Sequence, residues 1–472
     1  MRTGMDTRIM KTPPSSLTRR SFIRNSAAAG AVLGVPAVLR SASPNSNVQI
    51  AAVGLGGRGS GDVRAFSRHP QAKIVGICDV DTESFAPVDA EMPDERAPHF
   101  GDFREMFDRL GDRFDAVTVA TPDHNHAVVA IEAMRCGKHV YCQKPLSHTV
   151  WESRQMRLWA ERTGVITQLG NQNHSALAYR LATRLVREGA IGRVREVHSW
   201  VRYTGNEHTG LIEPTPPKPV PAYLDWNRWV AGAPMCPYSD VYHPFTWRDW
   251  QAFGSGALGD WGCHIFDPVF TALGLRAPLS VISENSGLNR HVWPTREKIR
   301  YVFPGNLLTT GTTLPVTWSD GGLRPGRKGA RLPCDVDLPG SGSLFIGEKG
   351  NMVLGHVSAP RLYPLEDFKD FRYPKDVEGF NHWRVWVDAI LAGRKTSGGF
   401  EYGGPLTETA LLGNVAAHFA GRPSNRRLPD ERQPDGPALL HWDEKNCRFT
   451  NSEAANALVT KAYRPGWEIS SA

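Results

Sequence analysis

The sequence is poor in cysteine and lacks long hydrophobic runs. Seven cysteines are spread over 472 residues, and no two form a Cys-x-x-Cys pair. A disulfide framework and a cysteine-based zinc site are therefore both disfavoured. No apolar run reaches the roughly 20 residues that a membrane-spanning helix needs. No internal repeat is visible either, which argues against a solenoid or propeller.

The positive charge of the chain is concentrated at its N-terminus. The formal net charge is +7, but residues 1–46 contain seven Lys or Arg and a single acid, so the remainder is close to neutral. A nearly neutral body gives no electrostatic reason to expect nucleic acid. The hydrophobic content of 40% and the chain length predict a soluble globular enzyme of two domains.

The basic N-terminus has the layout of an export leader. Thr18-Arg19-Arg20-Ser-Phe-Ile-Arg24 resembles the twin-arginine signal, and an apolar stretch (27–39) and small residues (41–43) follow. We expect the twin-arginine machinery to carry the protein to the periplasm or cell envelope. Cleavage is predicted near 43–46, with an uncleaved anchor as the alternative. Because this route moves folded proteins, a cofactor can travel with the chain.

After the leader, predicted strands and helices alternate along the chain. Beyond about residue 170 this regular alternation ends. Alternation predicts an α/β Rossmann domain with a doubly wound parallel sheet, followed by an α+β domain with an open mixed or antiparallel sheet. The predicted units are a signal peptide at 1–46, the Rossmann domain at 47–170, the α+β domain at 171–445 and a C-terminal tail at 446–472.

A glycine-rich motif marks the first strand-to-helix turn. Gly54-Leu-Gly56-Gly-Arg58-Gly59 follows a short apolar strand and opens a helix, and Asp79 ends the next strand. In this order the motif binds a dinucleotide, with the pyrophosphate at the helix N-terminus. The acid accepts hydrogen bonds from the ribose hydroxyls and repels a 2′-phosphate, so NAD is favoured over NADP. The predicted cofactor contacts in this region are Gly54, Gly56, Arg58, Gly59 and Asp79.

Three further motifs carry a family resemblance. They are Thr121-Pro122-Asp-His-Asn-His126, Gln143-Lys144-Pro145 and Asp260-Trp-Gly-Cys-His264. With the glycine motif they resemble, in order, those of the glucose–fructose oxidoreductase/inositol dehydrogenase/MocA (Gfo/Idh/MocA) family. The resemblance implies NAD-dependent redox chemistry, cofactor contacts from Thr121, Pro122, His126 and Lys144, a cis peptide before Pro145, and pairing of subunits into a homo-oligomer.

Lys144, Asp260 and His264 are the predicted catalytic residues. Thr121 and Lys144 follow strands, and ligands of open α/β sheets bind at that rim. Asp260 and His264 are four residues apart, so a helix would place them on one face, where the Asp orients an imidazole that moves a proton. No third or fourth ligand at metal spacing accompanies them, so no metal is predicted.

One position departs from the family pattern. The family usually has Glu before Lys-Pro, and this chain has Gln143. A neutral amide hydrogen-bonds but does not balance a nearby positive charge. We therefore expect Lys144 to be less charge-stabilised than in the family.

An aromatic and polar segment precedes Asp260 and is a candidate for sugar binding. Sugars present apolar C–H faces and hydroxyl edges, which suits aromatic side chains interleaved with hydrogen-bonding groups. A loop folded over the core, or a subunit contact, is the alternative. The predicted substrate residues are Gln172, Asn173, Tyr242, His243, Trp247 and Arg248.

Three functions follow from these features. The first is NAD-dependent oxidation or reduction at a hydroxyl or keto carbon of a sugar, cyclitol or glycoside. The second is a glycosidase of the glycoside hydrolase family 109 type, which recycles its NAD with no net redox change. The third is a sugar-binding or scaffold protein that keeps the fold without catalysis.

Overall fold

The structure is a computed structural model that describes residues 47–92, 96–420 and 438–472. The predicted twin-arginine signal at 1–46 lies outside the described residues, as do 421–437 of the predicted second domain.

A parallel sheet of six strands forms the centre of the first domain. Its strands are Val48–Val53 (β1), Ala72–Cys78 (β2), His99–Phe100 (β3), Ala116–Val119 (β4), His139–Gln143 (β5) and Thr167–Gly170 (β6). The order is β3-β2-β1-β4-β5-β6, and every neighbouring pair is parallel. This is the doubly wound arrangement that binds dinucleotides, and the predicted Rossmann domain is confirmed.

Helices connect these strands, and local sequence signals explain several of their ends. They are Arg58–Ser67 (α1), Phe85–Glu91 (α2), Phe103–Leu110 (α3), Asp123–Arg135 (α4) and Val150–Thr163 (α5). Thr149 and Glu152 form a capping box at the start of α5, and Gly164 in the left-handed conformation ends that helix. Helix α4 begins at Asp123, directly after Pro122, and the acidic side chain of Asp123 suits the positive end of the helix.

The second domain contains a mixed sheet, as predicted. Its strands are Val194–Trp200 (β7), Ser280–Asn285 (β8), Glu297–Pro304 (β9), Thr313–Ser319 (β10), Gly342–Gly347 (β11), Asn351–Gly355 (β12), Arg361–Tyr363 (β13), Leu440–Asp443 (β14) and Arg448–Phe449 (β15). Their order is β13-β12-β11-β7-β10-β9-β8-β14-β15. The pair β7–β10 is parallel, and β7–β11 and β9–β10 are antiparallel.

The second half of the chain contains two helices of 18 residues and several shorter ones. The helices after β6 are Leu177–Arg187 (α6), Trp226–Val230 (α7), Gly256–Leu273 (α8), Arg327–Ala330 (α9), His382–Leu391 (α10), Phe400–Ala417 (α11) and Glu453–Asn456 (α12). Helix α8 carries both Asp260 and His264, so the predicted helical spacing of these residues is correct.

Two later segments return to the Rossmann domain. Trp386 of α10 packs against Phe66 and Tyr141, with ring centroids 5.3 and 5.6 Å apart. The predicted C-terminal tail is also packed, because Lys461 Nζ lies 2.8 Å from the buried carboxylate of Glu152. The domain predicted at 47–170 thus gains part of its cover from residues far along the chain.

The described ranges place further limits on the molecule. All seven cysteines are free thiols. Within those ranges, no helix combines the length and apolar character needed to cross a membrane. No cluster of three or more His, Cys, Asp or Glu side chains there is arranged to hold a metal ion.

Candidate active site

The glycine loop between β1 and α1 has three glycines with different physical roles. Gly54 has φ of +82°, and a Cβ there would lie 2.6 Å from the backbone of Ala120. A Cβ on Gly59 would lie 2.0 Å from the carbonyl oxygen of Gly54. A Cβ on Gly56 would meet no protein atom within 4 Å, and this glycine lines the cleft. Two glycines therefore serve the turn and the helix–strand packing, and Gly56 keeps space for a ligand.

Asp79 ends β2 and is tied to the same loop. One carboxylate oxygen accepts a hydrogen bond from the Leu55 amide at 2.7 Å, and the other accepts from the Asp81 amide at 2.9 Å. Burial raises the pKa of Asp79 to about 6, against the lowering effect of these amides. The group is therefore mainly ionised at neutral pH and can accept hydrogen bonds from ribose hydroxyls.

A cleft of about 650 Å³ runs from this loop to the second domain. Fourteen of the predicted site residues line it: Gly54, Gly56, Arg58, Asp79, Thr121, Pro122, His126, Lys144, Gln172, His243, Trp247, Arg248, Asp260 and His264. The cleft is large enough for a dinucleotide segment and a small substrate together. The positive end of α1, the open face of Gly56 and the carboxylate of Asp79 fit a bound dinucleotide.

The loops after β4 and β5 are joined by His126. Its Nδ1 lies 2.8 Å from the Pro145 carbonyl and its Nε2 lies 2.7 Å from the Thr121 carbonyl. The ring is buried and links the two strand ends that carry Thr121 and Lys144. The Lys144–Pro145 peptide is cis, which confirms the expectation drawn from the family resemblance.

Lys144 and Asp260 form an ion pair across the cleft. Lys144 Nζ donates to Asp260 Oδ1 at 2.7 Å and to the Asp260 carbonyl oxygen at 2.9 Å. Arg248 Nε lies 3.7 Å from the same carboxylate oxygen. Burial alone would raise the pKa of Asp260, but Lys144 and Arg248 hold it at about 2. The charge partner of Lys144 is therefore Asp260, which compensates the ammonium despite Gln143.

His264 is oriented by an amide and not by Asp260, which corrects the sequence prediction. Asn171 donates through Nδ2 to the Cys263 carbonyl at 2.9 Å, and its Oδ1 lies 2.5 Å from His264 Nδ1. Because the bond to Cys263 fixes the Asn171 amide, Nδ1 donates its proton to Asn171 Oδ1, and Nε2 keeps the lone pair that a base requires. The Asn173 amide nitrogen, 3.1 Å from the same Nδ1, then donates no hydrogen bond to it. Burial first, and Lys144 second, lower the pKa of His264 well below its ordinary value, so the ring is neutral.

Gln143 contacts a carboxylate on the neighbouring helix. Its Nε2 donates to Asp62 Oδ2 at 2.6 Å, and Trp383 Nε1 donates to Asp62 Oδ1 at 2.8 Å. Asp62 is fully buried in α1. Burial raises its pKa to about 6, although Trp383 and Gln143 oppose this shift. The pair links the cofactor helix to the strand end next to Lys144.

Two of the predicted substrate residues, Asn173 and Tyr242, do not line the cleft. Asn173 Nδ2 lies 3.1 Å from His264 Nδ1, so this residue contacts the catalytic candidate from behind. Tyr242 packs inside an aromatic cluster, with its ring 5.1 Å from Phe253 and 5.4 Å from Trp250. The alternating aromatic pattern could not separate the inward-facing Tyr242 from its cleft-lining neighbours.

Several residues of the site were not predicted, among them Asn171, which orients His264. Asp123 lines the cleft, and burial raises its pKa to about 7. The His356 ring follows β12 and lies 5.7 Å from the His264 ring. Trp467, from the C-terminal segment, lines the cleft. Asp123 lies within the Thr-Pro motif and was available to sequence reasoning, whereas no local signal marks His356 or Trp467.

Two segments of the chain match models of known protein families. Residues 48–171 match a model described as "Oxidoreductase family, NAD-binding Rossmann fold", and residues 195–304 match "Oxidoreductase family, C-terminal alpha/beta domain". The first domain is thus an NAD-binding Rossmann domain of an oxidoreductase. Both segments match models of the Gfo/Idh/MocA family of oxidoreductases.

Curated relatives resemble this chain over part of their length. A levoglucosan dehydrogenase of Pseudarthrobacter phenanthrenivorans is 30% identical over 190 residues, which are 39% of this chain and 40% of the relative. A glycosyl hydrolase family 109 protein of Saccharopolyspora erythraea is 32% identical over 258 residues, or 45% of this chain and 56% of the relative. The matched segments therefore span from two fifths to just over half of these relatives.

Solved structures show the same fold at low identity. A levoglucosan dehydrogenase in complex with NADH and levoglucosan superposes with a TM-score of 0.53 at 20% identity, covering 79% of this chain and 98% of that one. The WlbA dehydrogenase from Bordetella pertussis, in complex with NADH and UDP-GlcNAcA, gives a TM-score of 0.53 at 19% identity, covering 78% and 95%.

Proposed function

We propose that this chain is an exported NAD-dependent oxidoreductase that acts at a hydroxyl or keto carbon of a sugar, cyclitol or glycoside. The observation that carries the proposal is the meeting of Lys144, Asp260 and His264 in the cleft that begins at the glycine loop. The similarity to a levoglucosan dehydrogenase supports a carbohydrate substrate.

The three side chains divide the work of alcohol oxidation. His264 is neutral, and its Nδ1 is committed to Asn171, so Nε2 is the atom that takes the hydroxyl proton. Lys144 donates a hydrogen bond to the substrate oxygen, and Asp260 holds the ammonium in place from 2.7 Å. When bound, NAD supplies the hydride acceptor at the reacting carbon. Gly54, Gly56, Arg58 and Asp79 are the residues that would hold it.

The test is a redox assay with a panel of sugars, cyclitols and glycosides, in which the absorbance of reduced nicotinamide reports turnover. Lys144→Met and His264→Ala are expected to lower kcat by about a hundredfold or more while NAD still binds. His198→Gln, at a histidine of β7 in the second sheet, is the matched control and is expected to retain full turnover. Turnover that is unchanged in both cleft variants would favour the non-catalytic alternative.

A glycosidase with transient oxidation is a second candidate, favoured by the 32% identity to a glycosyl hydrolase family 109 protein. The same His264 and Lys144 would serve the oxidation and its reversal. Release of nitrophenol from nitrophenyl glycosides without added cofactor would identify this activity. Net reduction of NAD with a free sugar would identify the dehydrogenase instead.

A further inference from the structure

A second group of reactive side chains lies outside the cofactor cleft. Ser397 Oγ is 3.0 Å from His174 Nε2, and His174 Nδ1 is 2.8 Å from Asp267 Oδ1. Both distances fall within hydrogen-bond reach. A serine, a histidine and a buried acid in this order form the arrangement that activates a serine nucleophile.

The proton positions within this group follow from its partners. Asp267 also accepts a hydrogen bond from Tyr402 Oη at 2.7 Å on the same oxygen. A carboxylate that accepts from both neighbours requires the histidine to donate through Nδ1. Nε2 therefore holds a lone pair and accepts the Ser397 hydroxyl proton. Asp267 raises the pKa of His174 despite the opposing effect of burial, which strengthens the ring as a base.

Solvent exposure increases from the acid through the histidine to the serine, so the nucleophile is the most accessible group of the three. The Asp267 side chain is 2% exposed, the His174 side chain is 9% exposed, and Ser397 lies at the surface. Helix α8 and the turn Gln172–Ser175 hold the acid and the histidine. Rigid elements thus fix the base, while the hydroxyl remains open to a substrate.

Ser397 borders a cavity of about 1120 Å³ that is separate from the cofactor cleft. Phe270, Leu275 and Phe380 contribute apolar surface to it, and the Arg180 guanidinium stacks 4.3 Å from the Phe380 ring centroid. Helix α11 begins three residues after Ser397, at Phe400.

We propose that Ser397, His174 and Asp267 form a second, hydrolytic site that cleaves carboxylic esters. Ser397 Oγ attacks the carbonyl carbon and gives its proton to His174 Nε2. The bond between that carbon and the alcohol oxygen then breaks, and the leaving alkoxide takes the proton. A water molecule next attacks the acyl carbon and gives a proton to Nε2, which returns it to Ser397 as the acid departs.

The test combines covalent labelling with ester hydrolysis on the full chain. A fluorophosphonate probe is expected to add once, and peptide mass mapping is expected to place the adduct on Ser397. Ser397→Ala and His174→Gln are expected to lower p-nitrophenyl acetate hydrolysis by about a hundredfold or more. Ser286→Ala, an exposed serine paired with Thr295, is the matched control and retains both signals.

Two results would overturn the proposal: no adduct on Ser397, or equal hydrolysis by the wild-type chain and Ser397→Ala. Because Ser397 is exposed, its variant tests the site even where a change at buried Asp267 prevents folding. NAD titration of Ser397→Ala is expected to match the wild type, which separates this site from the redox site. Lys144→Met is expected to leave ester hydrolysis unchanged.

Discussion

Replacement of Gln143 by Glu tests the contact between the cofactor helix and the strand end beside Lys144. The variant places a second carboxylate where Gln143 Nε2 now lies 2.6 Å from Asp62 Oδ2. Two ionised carboxylates about 4 Å apart repel by about 4 kcal/mol at an effective dielectric constant of about 20. The folded variant is therefore expected to keep one proton on the pair, which the unfolded chain loses.

The raised pKa of Asp62 determines the direction in which stability changes with pH. In the wild type, burial raises the pKa of Asp62 from 3.8 to about 6, so its protonated form is favoured on folding. That contribution is complete below pH 3.8, falls as the pH rises to about 6 and is absent above it, a loss of about 3 kcal/mol. In Gln143→Glu the free energy of unfolding is expected to keep falling above pH 7, by about 1.4 kcal/mol per pH unit.

The assay is urea unfolding followed by tryptophan fluorescence at several pH values from 5 to 8. Gln143→Glu is expected to lose about 2 kcal/mol at pH 7.5, which is less than the full repulsion because the proton retained on the pair relieves part of it. The double variant Asp62→Asn with Gln143→Glu restores one acid and one amide and is expected to recover most of this loss. A Gln143→Glu variant within about 1 kcal/mol of the wild type, with no added pH dependence, would refute the reasoning.

Four further predictions concern the fold, the cofactor and export. Gly59→Ala is expected to destabilise the fold, since its Cβ would lie 2.0 Å from the Gly54 carbonyl oxygen. Gly56→Ala is expected to preserve stability and weaken NAD binding, and thermal unfolding with NAD titration distinguishes the two. Asp79→Ala is expected to lower the affinity for NAD by about tenfold and to reduce the preference of the protein for NAD over NADP. Calorimetry measures both affinities. Changing both Arg19 and Arg20 to Lys is expected to retain the protein in the cytoplasm, as cell fractionation would show.

Comparison of sequence and structure shows which inferences depended on local rules. The glycine motif, Asp79 and the alternating elements predicted the Rossmann domain because these features are set by neighbouring residues along the chain. Helical spacing also placed Asp260 and His264 correctly on α8. The same spacing assigned Asp260 as the partner of His264, whereas the carboxylate pairs with Lys144, 116 residues earlier.

The sequence by itself determined the class of fold and the cofactor and supplied candidates for the reactive side chains, because those depend on turn geometry, hydrophobic period and motif order. Only the tertiary structure decided the partners: Asn171 for His264, Asp62 for Gln143 and Asp267 for His174. These contacts join residues 81 to 93 positions apart. Hydrogen-bond partners at such separations are selected by how helices and strands pack, and packing is a property of the whole chain.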